Sequence, residues 1–451
     1  MPGSLSPPSS PEQTWFGHPR GLTVLFLTEM WEIFSYYGMR ALLVYYMTKQ
    51  LLIDQAHASL IYGLYTASAY LTPIVGGLIS DRWLGRRNAV ILGGSIMALG
   101  HFMMASESLL YSALAVIALG NGLFMPSLPS QVAGLYRPDD PRRGSAFNVY
   151  YVGINLGAFL APLVCGTLGE VYGWHWGFAA AGVGMVGGLA IYIAGRRHLP
   201  PELPKTAAGP DRPDGLPARD LAQRIWLLVG VAAAVVVFRV AYEQTGNTVA
   251  LWADAGVDRR LTAGGWAIPM TWFQSLNPLL VFVLTPFLVA RWTREAKRGR
   301  EASTIVKMAI GAAVVGLAFL ILAAVSFATE DARVSWLWLA AFFTVLTVGE
   351  LYILPVGMGL FGRLAPPRIA ATTIAVWCLA IFAGNLAAGA VGVLWSRIPH
   401  GPFFLLIAGF AGASSLILLL FDRPTRKIEA YAAVEASSRP GPVLVAEGSA
   451  A

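Results

Sequence analysis

Runs of about 20 mostly apolar residues recur about twelve times along the chain, centred near residues 35, 69, 97, 121, 157, 184, 236, 279, 315, 346, 382 and 411. A run of that length crosses the hydrocarbon core of a bilayer as a helix, and a helix satisfies every backbone N–H and C=O inside the segment. The pattern predicts an all-α polytopic membrane protein with 12 transmembrane helices, numbered here in chain order. The longest polar interruption begins at Arg196 (RRHLPPELPKTAAGPDRPDGLPARD) and divides the helices six and six. That division predicts a polar tail at 1–20, a six-helix bundle at 21–195, a linker at 196–221, a second six-helix bundle at 222–421 and a tail at 422–451. Two such bundles, with a site between them near the midplane, are a common transporter plan.

Composition agrees: 56% of the 451 residues are hydrophobic and 13% charged, more apolar than one soluble core can hide. Lys and Arg concentrate in alternate connections, as in DRWLGRR at 81–87, RPDDPRR at 137–143 and RWTREAKRGR at 291–300, whereas the opposite connections hold few. By the positive-inside rule both termini are cytoplasmic, in a multi-pass protein of the cell (inner) membrane. The same asymmetry accounts for the net charge of +7, so no nucleic-acid partner is expected. The Pro/Ser-rich first 20 residues read as a disordered tail before a retained helix, since Glu29 and Glu32 interrupt the first apolar run. The stretch from about 429 to 451 reads as disordered too. Cys165 and Cys378 lie far apart with no ligand-like spacing, which points to neither a disulfide nor a metal. No Ser/His/Asp arrangement or HExxH stands in the helices, so an enzyme is not expected.

Six charges fall inside the apolar runs: Glu29, Glu32 and Arg40 in helix 1, Arg239 and Glu243 in helix 7, and Glu350 in helix 10. Each costs about 2.5–3.5 kcal/mol near the bilayer centre on insertion scales, so it persists where it faces a cavity or a partner. Glu29 and Glu32 share a helix face, and Arg239 and Glu243 are spaced to pair along theirs. Fully ionised, the set would carry two positives and four negatives, and one or two of these carboxylates are expected to hold protons. Static ion pairs fixing the helix packing are the alternative for any single member.

GGLISDRWLGRR, Gly76 to Arg87, sits between helices 2 and 3 and resembles the loop signature of the major facilitator superfamily, through Asp81, Arg82, Gly85 and Arg86. A positive-inside loop alone would explain the arginines but not the spacing. In helix 1, TEMWEIFSYYGMRALL carries Glu29, Glu32, Phe34, Tyr36, Tyr37, Gly38 and Arg40. It resembles the helix 1 motif of the proton-coupled oligopeptide transporters, a branch of that superfamily. FNVYYVGINLGAF from Phe147, with Asn155, resembles the family's second signature. GNGLF at 120–124, EQ at 243–244, WFQSLNP at 272–278, GELYILPVGM with Glu350, and Trp377 extend the likeness over nearly the whole chain.

The resemblance implies the major facilitator fold and import of di- and tripeptides driven by protons, with no cofactor beyond the coupling ion and with the lipid bilayer as surroundings. A monomer is expected. It implies that Glu350 and Asn277 receive the peptide's amino terminus, and that Arg40, Tyr36 and Tyr37 meet its carboxylate and backbone, with Tyr70 and Asn155 beside them. Arg239 and Trp377 join the expected substrate site, and Glu29, Glu32, Glu243 and Glu350 the expected proton sites. Three positions depart from the family pattern: Ile33 stands where arginine is usual, Met125 where a lysine follows GNGLF, and Arg239 where an aromatic is common. The altered cation set leaves open a related transporter of another small anion or a modified peptide, with altered proton coupling.

Overall fold

The computed structural model describes residues 14–15, 17–137, 140–200, 218–261, 265–329, 332–365 and 370–429. Among them are twelve helices of 18 residues or more. The first six are helix 1 (Arg20–Tyr45), helix 2 (Gln55–Ile79), helix 3 (Arg86–Met103), helix 4 (Leu110–Gly134), helix 5 (Arg142–Ala161) and helix 6 (Trp174–Gly195). The second six are helix 7 (Ala218–Tyr242), helix 8 (Phe273–Lys297), helix 9 (Thr304–Thr329), helix 10 (Trp336–Leu364), helix 11 (Ala370–Gly392) and helix 12 (His400–Leu420). Every predicted centre falls within one of them. Nine, helices 4 to 12, are long and apolar enough to cross a membrane among the described residues. Helix 1 falls outside that set with Glu29, Glu32 and Arg40 inside it, and helix 3 opens on Arg86 and Arg87.

Local signals set several boundaries. Asp54 accepts the Ala56 N–H at 3.0 Å before helix 2, and Ser335 accepts the Leu337 N–H before helix 10, each satisfying a donor that the first turn leaves unpaired. Gly85 holds φ at 79°, a region that side-chain-bearing residues rarely adopt, and so turns the chain from helix 2 into helix 3.

Within the first half, helix 1 packs on helices 5 and 6, and helix 3 on helices 4 and 6. Within the second, helix 9 packs on helices 10 and 12, and helix 7 on helices 11 and 12. Each half has its own buried apolar clusters, the largest running from Leu227 to Ile428. The halves meet along helices 2 and 11 and along helices 5 and 8. Leu64, Leu119, Phe287 and Leu416 are exposed on the outside, which suits a lipid surround and would be unusual in water.

Three expected boundaries move. Helix 7 starts at Ala218, four residues inside the expected 196–221 linker. Within the expected 1–20 tail, Thr14 and Trp15 pair antiparallel with Pro19 and His18, and the His18 ring meets the Tyr136 hydroxyl at 2.8 Å. Within the expected 422–451 tail, residues 422–429 are helical, tied back by Ser303 donating to Asp422 and by Thr304 and Arg363 donating to Glu429. Polar contacts to distant parts of the chain order these pieces, and such contacts leave no local signature. The rest of both tails and residues 201–217 of the linker lie outside the described residues.

Candidate functional site

A cavity of about 180 Å³ opens between the halves, lined by groups from both. Helix 1 contributes Tyr37 and Arg40, helix 5 Tyr151 and Asn155, helix 8 Gln274 and Asn277, and helix 10 Phe343 and Glu350. The cavity is smaller than the roughly 300–1,000 Å³ of drug-sized ligand sites, which suits a small ligand. Opposite charges face it from opposite halves. Glu350 accepts a hydrogen bond from the Tyr242 hydroxyl at 2.8 Å and another from the Asn277 amide, which also donates to the Thr347 hydroxyl at 3.1 Å. Those two donors fix the carboxylate and leave acceptor capacity on an acid that accepts about four bonds.

Arg40 spans from the cavity to the seam between the halves. Its Nε donates to the Tyr62 hydroxyl at 2.7 Å and its Nη2 to Glu243 at 2.7 Å, while the Tyr37 ring lies 5.4 Å from the guanidinium. Glu243, the first residue of the 3₁₀ turn after helix 7, is buried and holds a second guanidinium on its other oxygen, that of Arg239 one turn earlier in helix 7. Arg239 in turn donates to Asn385 of helix 11 at 2.9 and 3.0 Å, and Asn385 donates to the Thr66 carbonyl at 3.1 Å. A charge-assisted network thus crosses helices 1, 2, 7 and 11, each member satisfied by another, which is what makes buried charges tolerable.

Glu29 and Glu32 differ. Both are buried, and neither makes an ion pair among the described residues. Tyr150 lies beside Glu29 and Tyr65 beside Glu32. Position 33, one residue on, is the apolar Ile33. Two carboxyls on one buried helix face, with no cation beside them among the described residues, repel each other when both are ionised.

The other expected residues divide. Tyr36 is half-buried and stacks on Tyr65 at 6.2 Å, behind Tyr37. Arg239, only 3% exposed, and Tyr70, 5.9 Å from its guanidinium, stand outside the cavity lining, in the network around Glu243. Trp377 packs into the second bundle, its ring 5.0 Å from Phe361 and against Gly357, also away from the lining. Met125 is 41% exposed and lines no part of the cavity. Asp81 and Arg86 approach to 3.7 Å in the exposed turn after helix 2, where Arg82 and Gly85 also lie. Tyr62, Tyr242, Gln274 and Asn385 were not singled out from sequence. Asn385 was the most legible of them, a lone amide in an apolar helix.

At the end of the bundle remote from Arg20, the halves are joined by a series of contacts. Tyr45 donates to the Ala250 carbonyl at 2.7 Å, Lys49 meets Asp254 at 2.7 Å, and Ser59 donates to Asn247 at 2.9 Å. Glu170, after helix 5, accepts from the N–H groups of Met270 and Thr271 at 2.9 Å each. Below them a Cβ on Gly63 would lie 2.5 Å from the Gly389 Cα, so helices 2 and 11 touch backbone to backbone.

The profile of the POT family matches residues 87–210 and 219–402. The chain is 34% identical to the uncharacterized transporter YclF of Bacillus subtilis (strain 168), over 91% of this chain and 94% of that protein. It is 31% identical to a di-/tripeptide transporter of Lactococcus lactis subsp. cremoris, over 92% of this chain and 98% of that one. A crystal structure of a mutant peptide transporter POT in complex with alafosfalin is 32% identical, with a TM-score of 0.82, covering 93% of this chain and 97% of that one. The profile spans more than half of the chain, the relatives align nearly end to end, and the solved fold superposes on both bundles: the chain belongs to the POT family.

Proposed function

We propose that this protein imports di- and tripeptides together with protons, by rocking its two six-helix halves about the cavity. The observation that carries the reading is the placement of Arg40 and Glu350, one from each half, around one small cavity. A short peptide is a zwitterion. Its ammonium fits Glu350 and the adjacent Asn277 carbonyl oxygen, and its carboxylate fits Arg40, while Tyr37, Tyr151 and Phe343 give walls that tolerate varied side chains. Because the two charged ends are held by different halves, a bound peptide couples its own presence to the relative position of the halves.

The contacts at the end remote from Arg20 support reading that end as a closed gate, which is the outer one when both termini lie in the cytoplasm. We place it in the inner membrane in that orientation, on the distribution of Lys and Arg in the connections. The names of the relatives support peptide as the substrate class: a di-/tripeptide transporter and a peptide transporter solved with alafosfalin.

Counterflow of labelled dialanine in proteoliposomes, with competitors outside, tests the substrate class without a gradient. Dialanine and trialanine are expected to suppress labelled exchange, and alanine and nitrate to leave it nearly unchanged. Suppression by nitrate and not by trialanine would assign a small-anion carrier instead.

A further inference from the structure

Glu243 is one carboxylate between two guanidiniums, and the two belong to different moving parts. Arg40 reaches it from helix 1, in the first half, at 2.7 Å. Arg239 reaches it from one turn away in helix 7, in the second half. Arg239 is further fixed within its own half by two bonds to Asn385 of helix 11 and by the Tyr242 ring, 5.0 Å from its guanidinium. Any separation of the halves at the outer end therefore pulls Arg40 away from Glu243 and leaves Arg239 in place.

We propose that Arg239 is a resident counter-ion that keeps Glu243 charged on both sides of the transport cycle, so that opening the outer gate frees Arg40 without a proton being taken up at Glu243. This rests on the transport reading above and deepens it by assigning which carboxylate does not carry the coupling proton. The physical reason is the cost of an unpaired buried charge. Breaking a buried ion pair by withdrawing one partner is costly, because the other charge is left uncompensated. A carboxylate with a single cationic partner would escape that cost by binding a proton as the gate opens. One with a second guanidinium moving in the same rigid piece has no such need. Arg239 is thus a positioning residue, acting on the gate through Glu243.

Among the described residues, the side chains that other helices bring around Glu243 and its two guanidiniums come from helices 1, 2, 10 and 11. Tyr36 and Tyr37 face it from helix 1 and Tyr62 and Tyr70 from helix 2, all of them phenols. Helix 11 presents the neutral Asn385 to Arg239. Glu350 of helix 10 faces both Arg40 and Arg239 across the cavity and is itself held by Tyr242 and Asn277.

The test is the pH profile of dialanine counterflow, which involves no net proton movement, in wild type, Arg239→Met, Arg239→Lys and the double variant Arg239→Met/Glu243→Gln. With Arg239 gone, the open gate leaves Glu243 unpaired when ionised, so acid should assist opening and alkali should hinder it. The exchange rate of Arg239→Met, divided by that of wild type, is expected to fall roughly tenfold or more between about pH 5.5 and about pH 8. Arg239→Lys keeps the cation and should follow the wild-type profile, and the double variant should lose the added slope because the carboxylate is gone. Arg239→Gln serves for the same comparison if Arg239→Met does not assemble. Parallel profiles for wild type and Arg239→Met or Arg239→Gln, or an added slope that survives in the double variant, would overturn the assignment. Absence of counterflow in wild type would instead defeat the transport reading on which it rests.

Discussion

Replacing Glu350 by glutamine is expected to weaken dipeptide binding by roughly 30-fold or more, the loss that follows from removing one side of a buried, hydrogen-bonded charge pair at about 2–5 kcal/mol. The carboxylate is held by the Tyr242 hydroxyl and the Asn277 amide at the wall of the cavity. A glutamine oxygen accepts only part of what the carboxylate accepts and carries no charge for an ammonium group. The loss should therefore depend on the charge at the peptide's amino end. N-acetyl dialanine should bind the wild type weakly and distinguish little between wild type and Glu350→Gln, whereas free dialanine should distinguish strongly. Binding measured by calorimetry or by displacement of a labelled dipeptide checks this. Equal affinity of the two proteins for free dialanine would remove Glu350 from the amine site.

The second large effect is expected at Glu32. Glu29 and Glu32 share a buried face of helix 1, with Tyr150 and Tyr65 beside them and no ion pair among the described residues. Arg40, two turns on, is already engaged by Glu243 and Tyr62. An unpaired buried acid is stable as the neutral form and becomes ionised where water or a cation reaches it, so its proton occupancy differs between the outward and inward arrangements of the halves. That difference is sufficient to couple transport to a proton gradient. Glu32→Gln should keep counterflow, which needs no net proton, and lose accumulation of dialanine under an inward proton gradient. If the variant still concentrates dialanine, Glu32 does not carry the coupling proton.

The bundle was legible in the sequence because lipid leaves the backbone one solution: apolar runs of sufficient length become helices, and polar runs connect them. The same solvent made Glu29, Glu32, Arg40, Arg239, Glu243 and Glu350 conspicuous, since a charge in such a run needs a reason. The pairing of Arg239 with Glu243 was readable from their spacing along one helix. The pairing of Arg40 with Glu243 was not, because 203 positions separate them and only the packing of the two halves brings them together. Tyr62 and Asn385 were hidden for a different reason. Hydroxyls and amides are inexpensive enough in a membrane helix to pass as packing, so nothing marked Tyr62 among its neighbours, and Asn385 stood out only as a lone amide in an apolar helix. Trp377 resembles a family position and yet packs against Phe361 in the second bundle, because an aromatic ring gives no sequence clue to whether it faces a core or a cavity. Residues 422–429 looked like tail by composition and are held by Ser303, just before helix 9, by Thr304 at its start and by Arg363 at the end of helix 10, all distant in sequence.

Uptake of labelled dialanine into proteoliposomes, with and without an inward proton gradient, tests the account most directly. The wild-type protein is expected to concentrate dialanine inside above the outside level when the gradient is imposed, and only to equilibrate it when the gradient is absent or collapsed by a protonophore. Dialanine uptake that is the same with and without the gradient, or no uptake in either, would contradict it.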